Sequence, residues 1–163
     1  MAQKTNWDDA PLTESDINTY LMGEGGAWSS WTPTVTQSGA VSVTVDYGRF
    51  ARYGRTIVAE CRLAVTGSGT GSNLITLSLP ATAATSNDLP IGDGWIKDTS
   101  DSRDYRGQAR LATASTVYFV DTFVAPAFTF TGGASMGSGA NTMSAGLASG
   151  DTIGCRLVYE AAT

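Results

Sequence analysis

Histidine is absent from this chain. That excludes a histidine-based catalytic triad and any site that ligates a metal through imidazole. Positive charge is sparse: 10 Lys and Arg stand against 15 Asp and Glu, for a formal net charge of -5. A phosphate-binding surface draws its affinity from clustered cations, and the one local cluster is Arg49, Arg52 and Arg55, so no nucleic-acid partner is expected. Only Lys4 and Lys97 are lysines, which leaves little for Ser–Lys chemistry. No apolar run approaches the roughly 20 residues of a membrane span, and the polar stretch Met1–Asn6 lacks the apolar core of a secretory signal; no membrane insertion is expected. Two cysteines, Cys61 and Cys155, are too few for a disulfide scaffold and supply half the ligands of a structural zinc site. In a reducing compartment they read as small buried hydrophobes, with a bridge between their two strands as the alternative. Neither glycine-rich run, Gly67–Gly71 or Gly132–Gly139, is followed by the Lys-Ser/Thr pair of a phosphate loop. No cofactor is expected.

What is present divides at Gly23–Gly26. Before that seam lies one short amphipathic helix pattern. Thr13 suits an N-cap, Glu14 and Asp16 place negative charge in the first turn, and Leu12 and Ile17 have the spacing of a hydrophobic staple. Ile17, Tyr20 and Leu21 share one helical face, and Gly23 supplies the stop. A helix this short is marginal alone in water, so residues 1–26 are expected to dock on a partner through Trp7, Leu12, Ile17, Tyr20 and Leu21. Trp28 and Trp31 fall on opposite faces of an extended chain and are expected to brace the junction between this segment and the β region.

Residues 27–163 read as β throughout. Strand patterns run over Trp31–Gln37, Val41–Val45, Tyr47–Tyr53, Thr56–Thr66, Asn73–Leu79, Ile91–Lys97, Tyr105–Thr113, Ser115–Asp121, a short piece around Phe128–Phe130, and Asp151–Glu160. Gly48 and Gly54 mark expected bulge or turn positions. Short strands at this spacing without crossover helices predict an all-β, antiparallel β-sandwich of jelly-roll type, with the helical segment as its N-terminal anchor. The aromatics Tyr47, Phe50, Tyr53, Phe119, Phe128 and Phe130 are expected in the core.

One acidic stretch carries candidate chemistry. Asp88 to Asp104 is expected to form an exposed loop in which Asp93, Asp98 and Asp101 flank Trp95 and Tyr105. Carboxylates beside an aromatic platform suit sugar contact, several loop oxygens suit Ca²⁺ although their spacing matches no calcium loop, and a carbohydrate-active site is the enzymatic alternative. Arg103 and Arg106 are at hand to neutralise those acids. The balance points away from an enzyme.

Trp7, then Pro11-Leu12-Thr13, then Asp16-Ile17-Asn18, resembles the opening of many short virion proteins of tailed bacteriophages. Trp31-Thr32-Pro33-Thr34-Val35 resembles the start of their β head, Tyr47 to Val58 its central hairpin, and Ile75 to Pro80 the strand after it. The resemblance covers the first half of the chain. It implies a homotrimer on the virion surface, held to other virion proteins through residues 1–26, with the β head projecting outward. Minor tail protein, receptor-binding knob and capsid decoration protein are the roles found in that family; the first two would bring the head against a host surface glycan.

Overall fold

Alternating apolar residues with glycine and two-residue turns between them commit this chain to hairpins. The computed structural model describes residues 27–71, 73–86, 88–100, 102–121 and 146–163. The strands there are β1 (Ser29–Ser30), β2 (Val35–Gln37), β3 (Ala40–Val41), β4 (Val43–Tyr53), β5 (Thr56–Val65), β6 (Ile75–Ser78), β7 (Pro90–Asp98), β8 (Arg103–Thr113), β9 (Thr116–Asp121) and β10 (Thr152–Glu160). No helix occurs among the described residues, so none there is long and apolar enough to cross a membrane. The helix expected over residues 13–22, the docking residues Trp7, Leu12, Ile17, Tyr20 and Leu21, Asp101, and the Phe128–Phe130 strand lie outside the described residues.

All ten strands join one antiparallel sheet in the order β1-β4-β5-β10-β7-β8-β9-β6-β2-β3. The sheet is strongly curled, and the chain itself enforces the curl. β3 lies at one end of the order and β4 next to the other end, yet Val41 and Val43 are separated only by Ser42. Two Cα–Cα steps span at most about 7 Å, so the two ends of the sheet must meet there. The Ser42 carbonyl accepts from the Thr66 and Gly67 N–H groups at 2.9 and 3.0 Å, which seals the junction.

The inner surface of the curl is the core. Ile57, Ala59, Cys61, Leu63 and Val65 of β5 point inward with Ile153, Cys155, Leu157 and Tyr159 of β10, and they meet Ile75, Leu77, Ile96, Leu111, Val117 and Phe119 in one cluster. Each large side chain so buried contributes about 1.5–3 kcal/mol before entropy is counted. Trp31 belongs to this cluster at 5% exposure, with its backbone N–H donating to the Gly48 carbonyl at 2.8 Å.

Two expectations need correction. Tyr47 and Tyr53 are not core residues; they are 47% and 52% exposed. The cause is a register shift between Val45 and Tyr47, where Asp46 is the extra residue. Val43 and Val45 pack on the core, and strict alternation would send Tyr47 there too. One inserted residue flips the parity, so Tyr47 and Arg49 face out and Phe50 packs inward. Gly48 is therefore not the bulge; it sits within β4, where its missing side chain admits the Trp31 carbonyl. Gly54 does form the turn of the β4–β5 hairpin, at φ 60°.

The second correction concerns Asp88–Asp104, which is not one exposed loop. Most of it is β7, a short turn, and the start of β8. Asp98 points inward and is buried; its Oδ1 accepts from the Ser100 N–H at 2.9 Å and hydroxyl at 2.6 Å, so it caps the β7–β8 turn. Tyr105 is half-buried and packs against the core.

Candidate functional site: a groove on the outer face

Where β4, β5, β10, β7 and β8 lie side by side, pairing register aligns their outward residues into rows. One row reads Tyr47, Arg62, Gly154, Trp95, Arg106. The neighbouring row reads Arg49, Glu60, Arg156, Asp93, Gln108. Between them the surface sinks into an open groove of about 470 Å³, walled by Tyr47, Trp95 and Arg106 and floored by Gly94, Gly107 and the cysteine-bearing stretches of β5 and β10. That volume falls within the roughly 300–1,000 Å³ range of small-molecule sites.

Glycine shapes the floor. The Trp95 indole lies across the backbone of Gly154 on the neighbouring strand, in space that a methyl group there would occupy. The indole thereby packs closely over the Gly154 backbone and stays partly exposed. On the opposite face Phe119 lies against Gly94 in the same way, fully buried. An aromatic–glycine contact thus lies on each face of the sheet here.

The charges divide into those already engaged and those left over. Glu60 is the hub of the engaged set: its carboxylate is bound by Arg49, whose Nε donates at 2.6 Å, and by Arg156 at 3.3 Å. The Arg49 hydrogen bond in particular holds the Glu60 carboxyl below the usual carboxylate range, against the opposing effect of desolvation. Arg49 also stacks its guanidinium 4.5 Å from the ring centre of Trp28. Arg62 pairs with Asp46 at 3.2 Å. By contrast Asp93 and Arg106, both beside Trp95, have no hydrogen bond or ion pair among the described residues. An aromatic face flanked by one free carboxylate and one free guanidinium offers a stacking surface, an acceptor pair and a donor fork.

Of the five residues expected to form a ligand loop, Asp93 and Trp95 are brought together in this groove. Asp98 and Tyr105 are turned to the other face, and Asp101 is not described. Trp28 remains at the surface at 47% exposure, whereas Trp31 is enclosed in the core and offers no surface to a partner. Sequence reasoning misses Tyr47, Glu60, Arg106, Arg156 and Gly154 as site residues. The parity of the β5 and β10 alternation already places Glu60, Arg62, Gly154 and Arg156 on the outward face; it does not say which strands are neighbours. The Arg49, Arg52, Arg55 cluster is internally engaged: Arg55 reaches Glu160 at 3.1 Å and Arg52 donates to the Gly54 carbonyl at 2.8 Å. Among the described residues no group of three or more Cys, Asp or Glu could hold a metal ion.

No protein-family model, curated protein or solved structure matches this chain.

Proposed function

We propose that this protein is a non-enzymatic surface component of a tailed bacteriophage particle, a trimeric β knob whose outer-face groove contacts a saccharide of the host envelope. Residues 1–26 form its helical anchor and dock on another virion protein through Trp7, Leu12, Ile17, Tyr20 and Leu21. Residues 27–163 form the head, whose curl sets the two halves of its sheet face to face in the manner of a jelly-roll-like sandwich. A tail-borne adhesion role is preferred over shell decoration because the groove carries binding groups that an inert stud would not need.

The observation that carries the reading is the partly exposed Trp95 ring, packed over Gly154 beside the free Asp93 and Arg106. Pyranose rings present an apolar face of C–H groups and an edge of hydroxyls. A flat indole takes the first, and a carboxylate with a guanidinium takes the second. The phage resemblance adds the setting: its hairpin segment, Tyr47 to Val58, coincides with the β4–β5 hairpin, and Ile75 to Pro80 with β6.

The test uses the purified full chain and envelopes of a host strain. Wild type binds, and binding is competed by soluble envelope glycan; Trp95→Ala loses at least tenfold in affinity while keeping its far-UV spectrum. Binding of Trp95→Ala at wild-type strength overturns the groove as the contact. Separately, Leu12→Asp or Ile17→Asp releases the protein from particles with the head still folded. Full incorporation of both variants overturns the anchor.

A further inference from the structure

Cys61 and Cys155 are direct partners in the β5–β10 ladder, at the middle of a register that runs from Thr152↔Ala64 to Glu160↔Thr56. Both side chains point into the core, at 1% and 6% exposure, and their sulfurs stand 3.4 Å apart as free thiols. We infer that Cys61 and Cys155 form an oxidisable dithiol that closes into an intramolecular disulfide under peroxide, stapling β10 to β5.

The backbone already has the geometry. Directly opposed residues of antiparallel strands have Cα atoms about 4.5 or 5.5 Å apart, according to which kind of pair they form. Both values lie inside the roughly 4.4–6.8 Å window of disulfides. The sulfurs need only approach by about 1.4 Å to reach bonding distance, which side-chain rotation supplies without moving either strand. A thiol pair in this position differs from two cysteines that merely share a core.

The chemistry balances with a peroxide as the two-electron oxidant. One thiolate attacks a peroxide oxygen; the O–O bond breaks, a sulfenic acid forms, and the departing oxygen leaves as water once protonated. The second sulfur attacks the sulfenic sulfur; the S–S bond forms, the S–O bond breaks, and a second water leaves. Two thiols lose two electrons and hydrogen peroxide gains them. The sulfurs lie on the core side of the sheet, away from the groove, so only an oxidant as small as hydrogen peroxide reaches them. The resolving sulfur at 3.4 Å captures the sulfenic acid before further oxidation. Contact with Cys61, together with burial, pushes the Cys155 thiol well above its ordinary range, so the thiolate is scarce at neutral pH and closure is slow there and faster in alkali.

The bridge spans 94 positions of sequence. Cross-linking so long a loop restricts the unfolded chain far more than the folded one, and the expected gain is a rise in Tm on the order of 10 °C.

The experiment treats the full chain with stoichiometric hydrogen peroxide, then denatures it and counts thiols with a maleimide. Oxidation is expected to lower the intact mass by two hydrogens, to take the maleimide count from two to none, to yield a linked peptide containing both cysteines, and to raise Tm reversibly with reductant. In Cys61→Ala, peroxide is expected instead to leave a dimedone-reactive sulfenic acid at Cys155. If that variant fails to fold, the wild-type mass and thiol count still decide. Retention of two thiols, gain of oxygen atoms, or linkage between two chains overturns the inference.

Discussion

Tyr159 shows how one side chain can tie the end of β10 to a distant loop. Its hydroxyl donates to the Ala81 carbonyl at 2.7 Å and accepts from the Ala81 N–H at 3.2 Å. Burial pushes its pKa up to about 12, against the lowering effect of the Ala81 bond. A phenol whose folded pKa exceeds its unfolded value of about 10 keeps its proton in the fold after the unfolded chain has lost it. Its contribution is therefore complete below about pH 10 and disappears as pH rises through about 12. Denaturation monitored from about pH 8 to about pH 12 should show stability falling across the upper half of that range, with a shallower fall in Tyr159→Phe. At neutral pH that variant should lose about 1–3 kcal/mol, the usual value of two hydrogen bonds. Glu60 has the opposite sign. Its lowered pKa means that its contribution is present above the ordinary carboxylate range and is lost on acidification through the folded value. The two aromatic–glycine contacts separate stability from binding. Gly94→Ala drives a methyl into the fully buried Phe119 ring and should cost about 1–3 kcal/mol in a denaturant titration. Gly154→Ala displaces the partly exposed Trp95 rather than a buried ring, so it should lower Tm less than Gly94→Ala and weaken the saccharide binding proposed above.

Among the elements, β5 and β10 are the most legible in the sequence. Ile57, Ala59, Cys61, Leu63 and Val65 alternate without a break, as do Ile153, Cys155, Leu157 and Tyr159, and both strands form where that pattern predicts. The turn at Gly54 is legible for the same local reason. What alternation cannot supply is adjacency. Nothing local says that β10 lies between β5 and β7, so the groove and the thiol pair are invisible in one dimension. The Asp46 irregularity is equally hidden, because an inserted residue changes parity without changing composition. The acidic stretch shows the cost: Asp93 and Asp98 are five residues apart in the sequence, and the odd spacing puts them on opposite faces. Deleting Asp46 should close the irregularity and restore strict alternation, with Tyr47 and Arg49 still outward and Phe50 still inward. Tm should then fall only by the small loss of the exposed Asp46–Arg62 ion pair and of local fit; calorimetry of the deletion against wild type checks this.

At the scale of the whole molecule, stability comes from one sheet closing on its own inner face. Loops reinforce the closure. Buried Gln37 accepts from the Leu147 N–H at 2.9 Å and donates to the Asn73 carbonyl at 3.2 Å, so β2 is stitched to two separate loops. Asp151, also buried, accepts from Thr99 and Ala148 and ties the β7–β8 turn to the approach to β10. Truncating Gln37 to Ala would leave the buried Leu147 N–H without its acceptor, a loss of about 1–3 kcal/mol that chemical denaturation should register.

The position of β10 carries a consequence for biosynthesis. Among the described strands it alone joins the β1-β4-β5 group to β7 through hydrogen bonds, and the ribosome makes it after all the others. Until those residues emerge, β5 and β7 each have an unsatisfied edge, and the nascent polypeptide holds two half-sheets with a gap between them. A message interrupted before Thr152 would thus yield a product with two unpaired strand borders, open to aggregation and proteolysis.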